Sequence, residues 1–83
     1  MTDVAKLLGK LGYRRKEYRY AVQLLQESLR GQPADAESFF YLGLAHYQLK
    51  ERPQSKEALQ RAVALNIQTA LATEANRLIA ELQ

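Results

Sequence analysis

Hydrophobic residues recur along the chain at spacings of three and four, which is the period of an amphipathic α-helix. The pattern predicts five helices of about 12 to 15 residues, joined by turns of a few residues. Valine and isoleucine are scattered, and no alternating run is long enough to predict a β-strand. Helices connected by such short turns must pack as antiparallel neighbours, so we expect an all-α fold of five antiparallel helices.

The first predicted helix carries two different stripes along its length. One stripe consists of large apolar residues: Val4, Leu7, Leu8 and Leu11. The other stripe contains only small residues: Ala5, Gly9 and Gly12. Glycine costs a helix about 1 kcal/mol relative to alanine, so two glycines in one stripe predict close contact with a neighbouring helix.

Residues that typically end or start helices separate the five segments. The polar residues 14–17 predict the first turn, and Gly31 followed by Pro33 predicts the end of the second helix. Residues that favour a helix start stand at the expected beginnings of the later helices: Asp35, Pro53 and Thr69. Residues 39–47 are apolar on nearly every side, which predicts that the third helix lies in the middle of the structure.

The sequence matches itself when it is displaced by about 34 residues. The displacement places Leu8 and Gly9 on Leu42 and Gly43, and further pairs follow in the same register. These further pairs are Tyr13 with Tyr47, Leu25 with Leu59, and Leu29 with Val63. A period of this length, made of helix, turn and helix, is typical of helical repeat arrays.

Residues 36–69 resemble the tetratricopeptide repeat (TPR) family. The positions that carry the resemblance are Phe39, Leu42, Gly43, Ala45, Leu59 and Ala62. The first unit, residues 2–35, matches at Leu8, Gly9, Tyr18, Ala21, Leu25 and Pro33. Lys16 and Lys50 occupy the turn between the two helices of each unit, where the family often has glycine.

The resemblance implies a right-handed solenoid of helical hairpins. We expect one domain over residues 1–83, with repeats at 2–35 and 36–69 and a capping helix at 70–83. Two repeats and a cap fall short of the three or so that stability usually needs. We therefore expect the chain to be the C-terminal piece of a longer array; the alternative is a free-standing small protein with two repeats.

Composition narrows the possible functions. The chain lacks cysteine and has one histidine, which excludes disulfides and makes a metal site or a cofactor unexpected. His46 lies within a helix, where we expect it to be packed, and we predict no enzymatic activity.

The net charge of +3 is too small to predict nucleic-acid binding, and we interpret the basic cluster at residues 14–19 as a charged turn. With no secretory signal and no run approaching the ~18 apolar residues of a membrane span, we expect either a cytoplasmic protein or a piece of a longer chain whose targeting signal lies elsewhere.

The family resemblance also implies a binding site. The first helix of each hairpin should line a concave groove that holds a peptide or helix of a partner protein. The groove residues expected by position are Lys6, Lys10, Tyr13, Arg14, Glu37, Phe40, Leu44, Tyr47, Leu71 and Leu78. Phe40 and Tyr47 are expected to anchor the partner, unless a neighbouring segment packs on them, and the basic residues are expected to favour acidic groups. The chaperone-binding clamp of the family is incomplete, since Lys10 and Tyr41 stand where asparagines are expected.

Self-association is the alternative function. The large apolar stripe of the first helix would be exposed without a preceding repeat, and exposed apolar faces drive association. Two copies would then pack end to end or exchange the terminal helix, residues 70–83.

Overall fold

Five α-helices form the fold in the computed structural model, which describes residues 2–83. They are α1 (Thr2–Arg14), α2 (Tyr18–Gly31), α3 (Ala36–Gln48), α4 (Arg52–Ala64) and α5 (Thr69–Leu82). Helix α1 packs along α2, and α3 packs along α4, as two helical hairpins. Less extensive contacts join α2 to α3 and α4 to α5. The all-α prediction is confirmed for the described part of the chain, which contains no strand.

The two hairpins make the same close contact at equivalent positions of the repeat. A Cβ atom added to Gly9 would lie 2.7 Å from Leu25 Cγ, and one added to Gly43 would lie 2.7 Å from Leu59 Cγ. Both leucines are completely buried. Because carbon atoms do not pack at so short a distance, only glycine lets the two helices of each hairpin approach this closely. The small stripe of α1 is thus the one that packs, as predicted.

The turns inside the two hairpins are also equivalent. Lys16 and Lys50 have φ angles of 64° and 62°, in the left-handed region that side chains rarely adopt. The next amide reaches back to the last helical turn in each case: Glu17 N–H donates to the Gly12 carbonyl at 2.9 Å, and Glu51 N–H donates to the His46 carbonyl at 3.0 Å. This pattern is the Schellman motif, with lysine where glycine is more usual.

Two predicted helix ends differ from the structure. Gly31 forms the last residue of α2 rather than following it, and it has no positive φ angle. The Gln32 amide still reaches the Ser28 carbonyl at 3.0 Å, so the helix continues to Gly31 before Pro33 prevents further extension. Thr69 begins α5 and does not cap it, because Gln68 occupies the preceding position without a side-chain cap.

Asp35 caps α3 as predicted. Its carboxylate accepts a hydrogen bond from the Glu37 amide at 3.2 Å and another from the Ser38 hydroxyl at 2.8 Å. The cap satisfies a backbone donor, the Glu37 amide, that would otherwise lack a partner at the start of the helix. The start of α3 is therefore held at a defined position beside α1.

Helix α3 contributes to both parts of the hydrophobic core. The first part contains Ala21, Val22, Leu25, Leu42, Ala45 and Ala58. The second part contains Phe40, Leu59, Ala62, Ala75, Leu78 and Leu82. The predicted central position of α3 is confirmed, and α5 closes the open side of the second hairpin.

Candidate functional site

An ionic network joins α1 to the start of α3. Lys6 Nζ lies 2.9 Å from Glu37 Oε1 and 3.1 Å from Asp35 Oδ2, and Lys10 Nζ lies 2.8 Å from Glu37 Oε2. All four side chains are partly buried. The two lysines expected to attract an acidic partner are thus paired with carboxylates of the chain itself. Asp35 was predicted only as a helix cap, since a sequence does not show ion pairs between residues in distant segments.

The network shifts the pKa values of its members. Burial raises the pKa of Asp35, but hydrogen bonds from Ser38 and Lys6 and the charge of Lys6 outweigh it, so the pKa falls below 3.8. The hydrogen bond from Lys10, assisted by Lys6, lowers the pKa of Glu37 below 4.5 against the effect of burial. Burial lowers the pKa of Lys6, but its carboxylate partners raise it above 10.5.

Aromatic side chains continue this surface towards the other end of α1. The Tyr13 and Tyr41 rings lie 5.9 Å apart in an edge-to-face arrangement, and Lys10 Nζ lies 5.4 Å from the centre of the Tyr41 ring. Burial raises the pKa of Tyr13, and a smaller effect of the Gln48 side chain opposes it. Side chains of α1 and α3 therefore meet on one face, and Leu71 of α5 lines a pocket with Lys6 and Glu37 at the other end of α1. From the sequence, Tyr41 was identified only as a departure from the family's clamp, and it was not predicted to line the groove.

Phe40 and Leu78 do not lie in this groove. Each is only 3% exposed, and both pack in the second part of the core, where α5 covers Phe40. The prediction that these two side chains contact a partner is wrong for this structure. Tyr47 is partly buried against the same core, and its hydroxyl donates a hydrogen bond to Glu81 of α5, which raises its pKa.

The remaining predicted groove residues lie at or near the surface. Leu44 and Leu71 are partly buried, and Arg14 is exposed. A pocket of about 270 Å³ separates Lys6 and Glu37 from the connection between α4 and α5, with Leu71 on its wall. The sequence did not predict this pocket, because its walls come from three segments that only the tertiary structure brings together.

A larger crevice of about 530 Å³ lies on the opposite side, between α2 and α4. At its floor His46 is 8% exposed, and its Nδ1 lies 2.7 Å from Glu51 Oε1. Glu51 also accepts a hydrogen bond from Arg19 at 2.8 Å. Within residues 2–83, Glu51 is the one side chain that His46 hydrogen-bonds, so the trio links α2 and α3 to the turn before α4. This is the packed environment expected for His46.

No family model matches the chain, and no curated protein matches it significantly. Over the described residues, there is also no group of three or more acidic, histidine or cysteine side chains with the geometry of a metal site. None of the five helices seen in residues 2–83 is long and apolar enough to cross a membrane. A proposal about function therefore depends on the exposed residues and pockets of the structure.

The large apolar stripe of α1 is exposed. Val4 is 47% exposed, Leu7 66%, Leu8 37% and Leu11 46%. Tyr20 of α2, at 48%, extends the patch beside Gly12. We call this surface, consisting of the four α1 residues and Tyr20, the α1 face.

The ionic network predicts acid-sensitive stability. Groups whose pKa is lowered on folding stabilise the fold above their unfolded pKa, and this contribution is lost as the pH falls through the folded value. We expect Asp35→Ala to reduce the free energy of unfolding by about 1 to 2 kcal/mol at pH 7, since both the cap and the ion pair are removed. The difference in the free energy of unfolding between this variant and the unmodified chain should become smaller as the pH falls from about 5 to about 3.

Urea unfolding followed by circular dichroism at several pH values tests this prediction. Glu57→Gln is the control, because Glu57 is an exposed carboxylate on α4. It should change stability by less than about 0.5 kcal/mol at each pH. A loss for Asp35→Ala that is the same at pH 3 and pH 7 would show that the ionisation of Asp35 does not contribute.

Proposed function

We propose that this chain is a TPR-type interaction module that binds a peptide or helix of another protein and catalyses no reaction. The glycine–leucine contact present in both hairpins supports the family assignment, together with the equivalent left-handed turns at Lys16 and Lys50. The right-handed solenoid, with repeats at 2–35 and 36–69 and a capping helix at 70–83, is part of this proposal.

The proposed binding surface is the groove formed by α1, α3 and α5. The observation that supports it is the edge-to-face packing of Tyr13 of α1 on Tyr41 of α3, with Lys10 Nζ over the Tyr41 ring. Tyrosine rings offer a large apolar area and a hydroxyl for hydrogen bonding, a combination typical of protein interfaces. Such a surface fits a segment that offers both apolar side chains and hydrogen-bonding groups.

The ionic network limits how an acidic partner would bind. A carboxylate of the partner gains little by approaching Lys6 or Lys10 unless it replaces Glu37, which already lies 2.8 Å from Lys10. Acidic residues of a partner should therefore affect the rate of association more than the affinity. We propose that affinity comes from the tyrosine side chains and from Leu44 and Leu71.

Peptide selection followed by affinity measurement tests the groove. Peptides would be selected from a display library against the Leu7→Glu protein, so that contacts through the α1 face do not contribute. We expect Gln48→Arg, beside Tyr13, to weaken binding of the selected peptides by about tenfold. Gln26→Arg on exposed α2 is the matched control and should leave affinity unchanged. Peptides that bind both variants equally, or that lose affinity only with Gln26→Arg, would overturn the groove proposal.

A second candidate function is self-association. The observation that favours it is the exposure of four large apolar residues on α1, of which Leu7 is the most exposed at 66%. The largest apolar patch of a protein is often functional when it reaches several hundred square ångströms. The two functions use different faces of α1 and are compatible with each other.

A further inference from the structure

The two ends of the helical stack expose different chemistry. At one end lies the α1 face, with large apolar side chains between 37% and 66% exposed. At the other end, the exposed residues of α5 are small or polar: Thr69, Ala70, Thr73, Asn76, Arg77, Ala80 and Glu81. A head-to-tail contact between copies would place the apolar surface against a polar one. Of the contacts between these ends of two copies, only contact between two α1 faces matches apolar surface with apolar surface.

The internal repeat shows how this fold uses the equivalent surface. The α3 residues that occupy the same repeat positions as the α1 stripe are Ser38, Tyr41, Leu42 and Ala45. Leu42 and Ala45 pack against Val22 and Leu25 of α2, and the Ser38 hydroxyl lies 3.2 Å from the Ser28 hydroxyl. This side of the hairpin is therefore shaped to pack against another helix.

We propose that two copies of the chain pair through α1, antiparallel and related by a two-fold axis between Leu7 and Leu8. This inference rests on the self-association proposed above and specifies its geometry. Antiparallel pairing about that axis places Val4 opposite the partner's Leu11 and Leu7 opposite the partner's Leu8. Because the stripe is apolar at each of these positions, the surface is complementary to itself, as a two-fold interface requires.

Charges at the edge of the stripe select the antiparallel orientation. Asp3 and Arg14 are both exposed, and neither forms an ion pair with any residue of the 2–83 range. Their separation along the sequence is close to three helical turns, so they lie on the same flank of α1. Antiparallel pairing brings Asp3 close to the partner's Arg14, twice in each dimer. Parallel pairing about a two-fold axis would place this flank of the two helices on opposite sides of the interface, so the contacts between Asp3 and Arg14 would not form.

The size of the surface predicts a weak dimer. The α1 face exposes on the order of 400 Å² of apolar surface, within the range of the largest patch on a monomer. Two such faces bury about 800 Å² in total, below the ~1,200 Å² at which stable complexes begin. The dimer should therefore dissociate in the micromolar range or above, and its population should depend on concentration.

Light scattering on a sizing column tests the pairing over protein concentrations from about 10 μM to about 1 mM. The mass should rise from 9.5 kDa towards twice that value. Leu7→Glu should remain monomeric throughout with an unchanged helical circular dichroism spectrum, since the side chain is mostly exposed. Ala80→Glu on the α5 end is the matched control and should dimerise normally. A monomer at every concentration, or dimers that are lost with Ala80→Glu and retained with Leu7→Glu, would overturn the proposal.

Reversing the charges tests the orientation. Asp3→Arg and Arg14→Asp should each weaken dimerisation severalfold, because each creates two like-charge contacts across the interface. The double variant Asp3→Arg/Arg14→Asp should dimerise about as well as the unmodified chain. Failure of the double variant to recover, with Leu7→Glu still monomeric, would reject the antiparallel geometry while leaving self-association intact. Peptide binding by the monomeric Leu7→Glu protein reports separately on the groove.

Discussion

Replacing Leu59 by alanine is expected to lower the free energy of unfolding by about 2 to 5 kcal/mol, the range for deleting a buried leucine side chain. Leu59 is completely buried and packs against Phe40 and against Ala75 and Leu78 of α5. Its loss would leave a cavity between the second hairpin and the closing helix. For a domain of this size, such a loss is comparable with the whole free energy of unfolding of about 5 kcal/mol.

Thermal and urea unfolding, both followed by circular dichroism, measure the effect. Leu25→Ala, at the equivalent position of the first hairpin, should destabilise the chain to a similar extent, because Leu25 is also completely buried. Leu7→Ala is the matched control, since Leu7 is 66% exposed, and it should cost less than about 1 kcal/mol. If Leu59→Ala lowered the free energy of unfolding by no more than Leu7→Ala, the packing of α5 on the second hairpin would be incorrect.

The second large effect is expected at Gly43. We expect Gly43→Ala to lower the free energy of unfolding by about 1 to 3 kcal/mol, although alanine favours a helix by about 1 kcal/mol. The added methyl group would lie 2.7 Å from Leu59 Cγ and 3.2 Å from the Leu59 backbone nitrogen. The leucine side chain can rotate, but the nearby backbone limits how far α3 and α4 can separate. Gly9→Ala should behave in the same way against Leu25.

Gly12→Ala is the matched control for Gly43→Ala. A Cβ atom at Gly12 would meet Tyr20 Cδ2 at 3.3 Å, and the Tyr20 side chain is 48% exposed and free to move. The higher helix propensity of alanine should then dominate, so that stability stays the same or rises by up to about 1 kcal/mol. Equal effects at Gly12 and Gly43 would contradict the close contact between α3 and α4.

Combining the two substitutions tests whether they act on the same contact. In the double variant Gly43→Ala/Leu59→Ala, the added methyl group occupies space that the leucine has vacated. We expect the loss of stability in the double variant to be smaller than the sum of the two single losses by about 1 kcal/mol or more. Additive losses would indicate that the two residues do not touch.

The helices and their repeat could be predicted from the sequence because they depend on local signals. The spacing of apolar residues identified all five helices, and the glycines of α1 identified its packing stripe. Asp35 was recognised as a helix cap because its carboxylate bonds to backbone groups within a few residues. The helix ends at Gly31 and Thr69 were predicted incorrectly, since a glycine or threonine near an end does not determine the last hydrogen bond.

The groove could be predicted only in part, because its chemistry depends on contacts between distant segments. Position in the repeat predicted Lys6 and Lys10 as groove residues, but their pairing with Asp35 and Glu37 depends on the assembled hairpins. Tyr41 belongs to the proposed groove for the same reason, because the assembled hairpins pack Tyr13 of α1 against its ring.

The sequence by itself determined an all-helical chain with an internal repeat, since period, caps and small residues act within one or two helical turns. Only the tertiary structure decided which apolar residues remain available to a partner. Phe40 is buried because α5 packs over it, whereas Leu7 is exposed because no described segment lies against that side of α1. Both residues lie on helices with a strong apolar pattern, so their exposure depends on which neighbouring helices cover them.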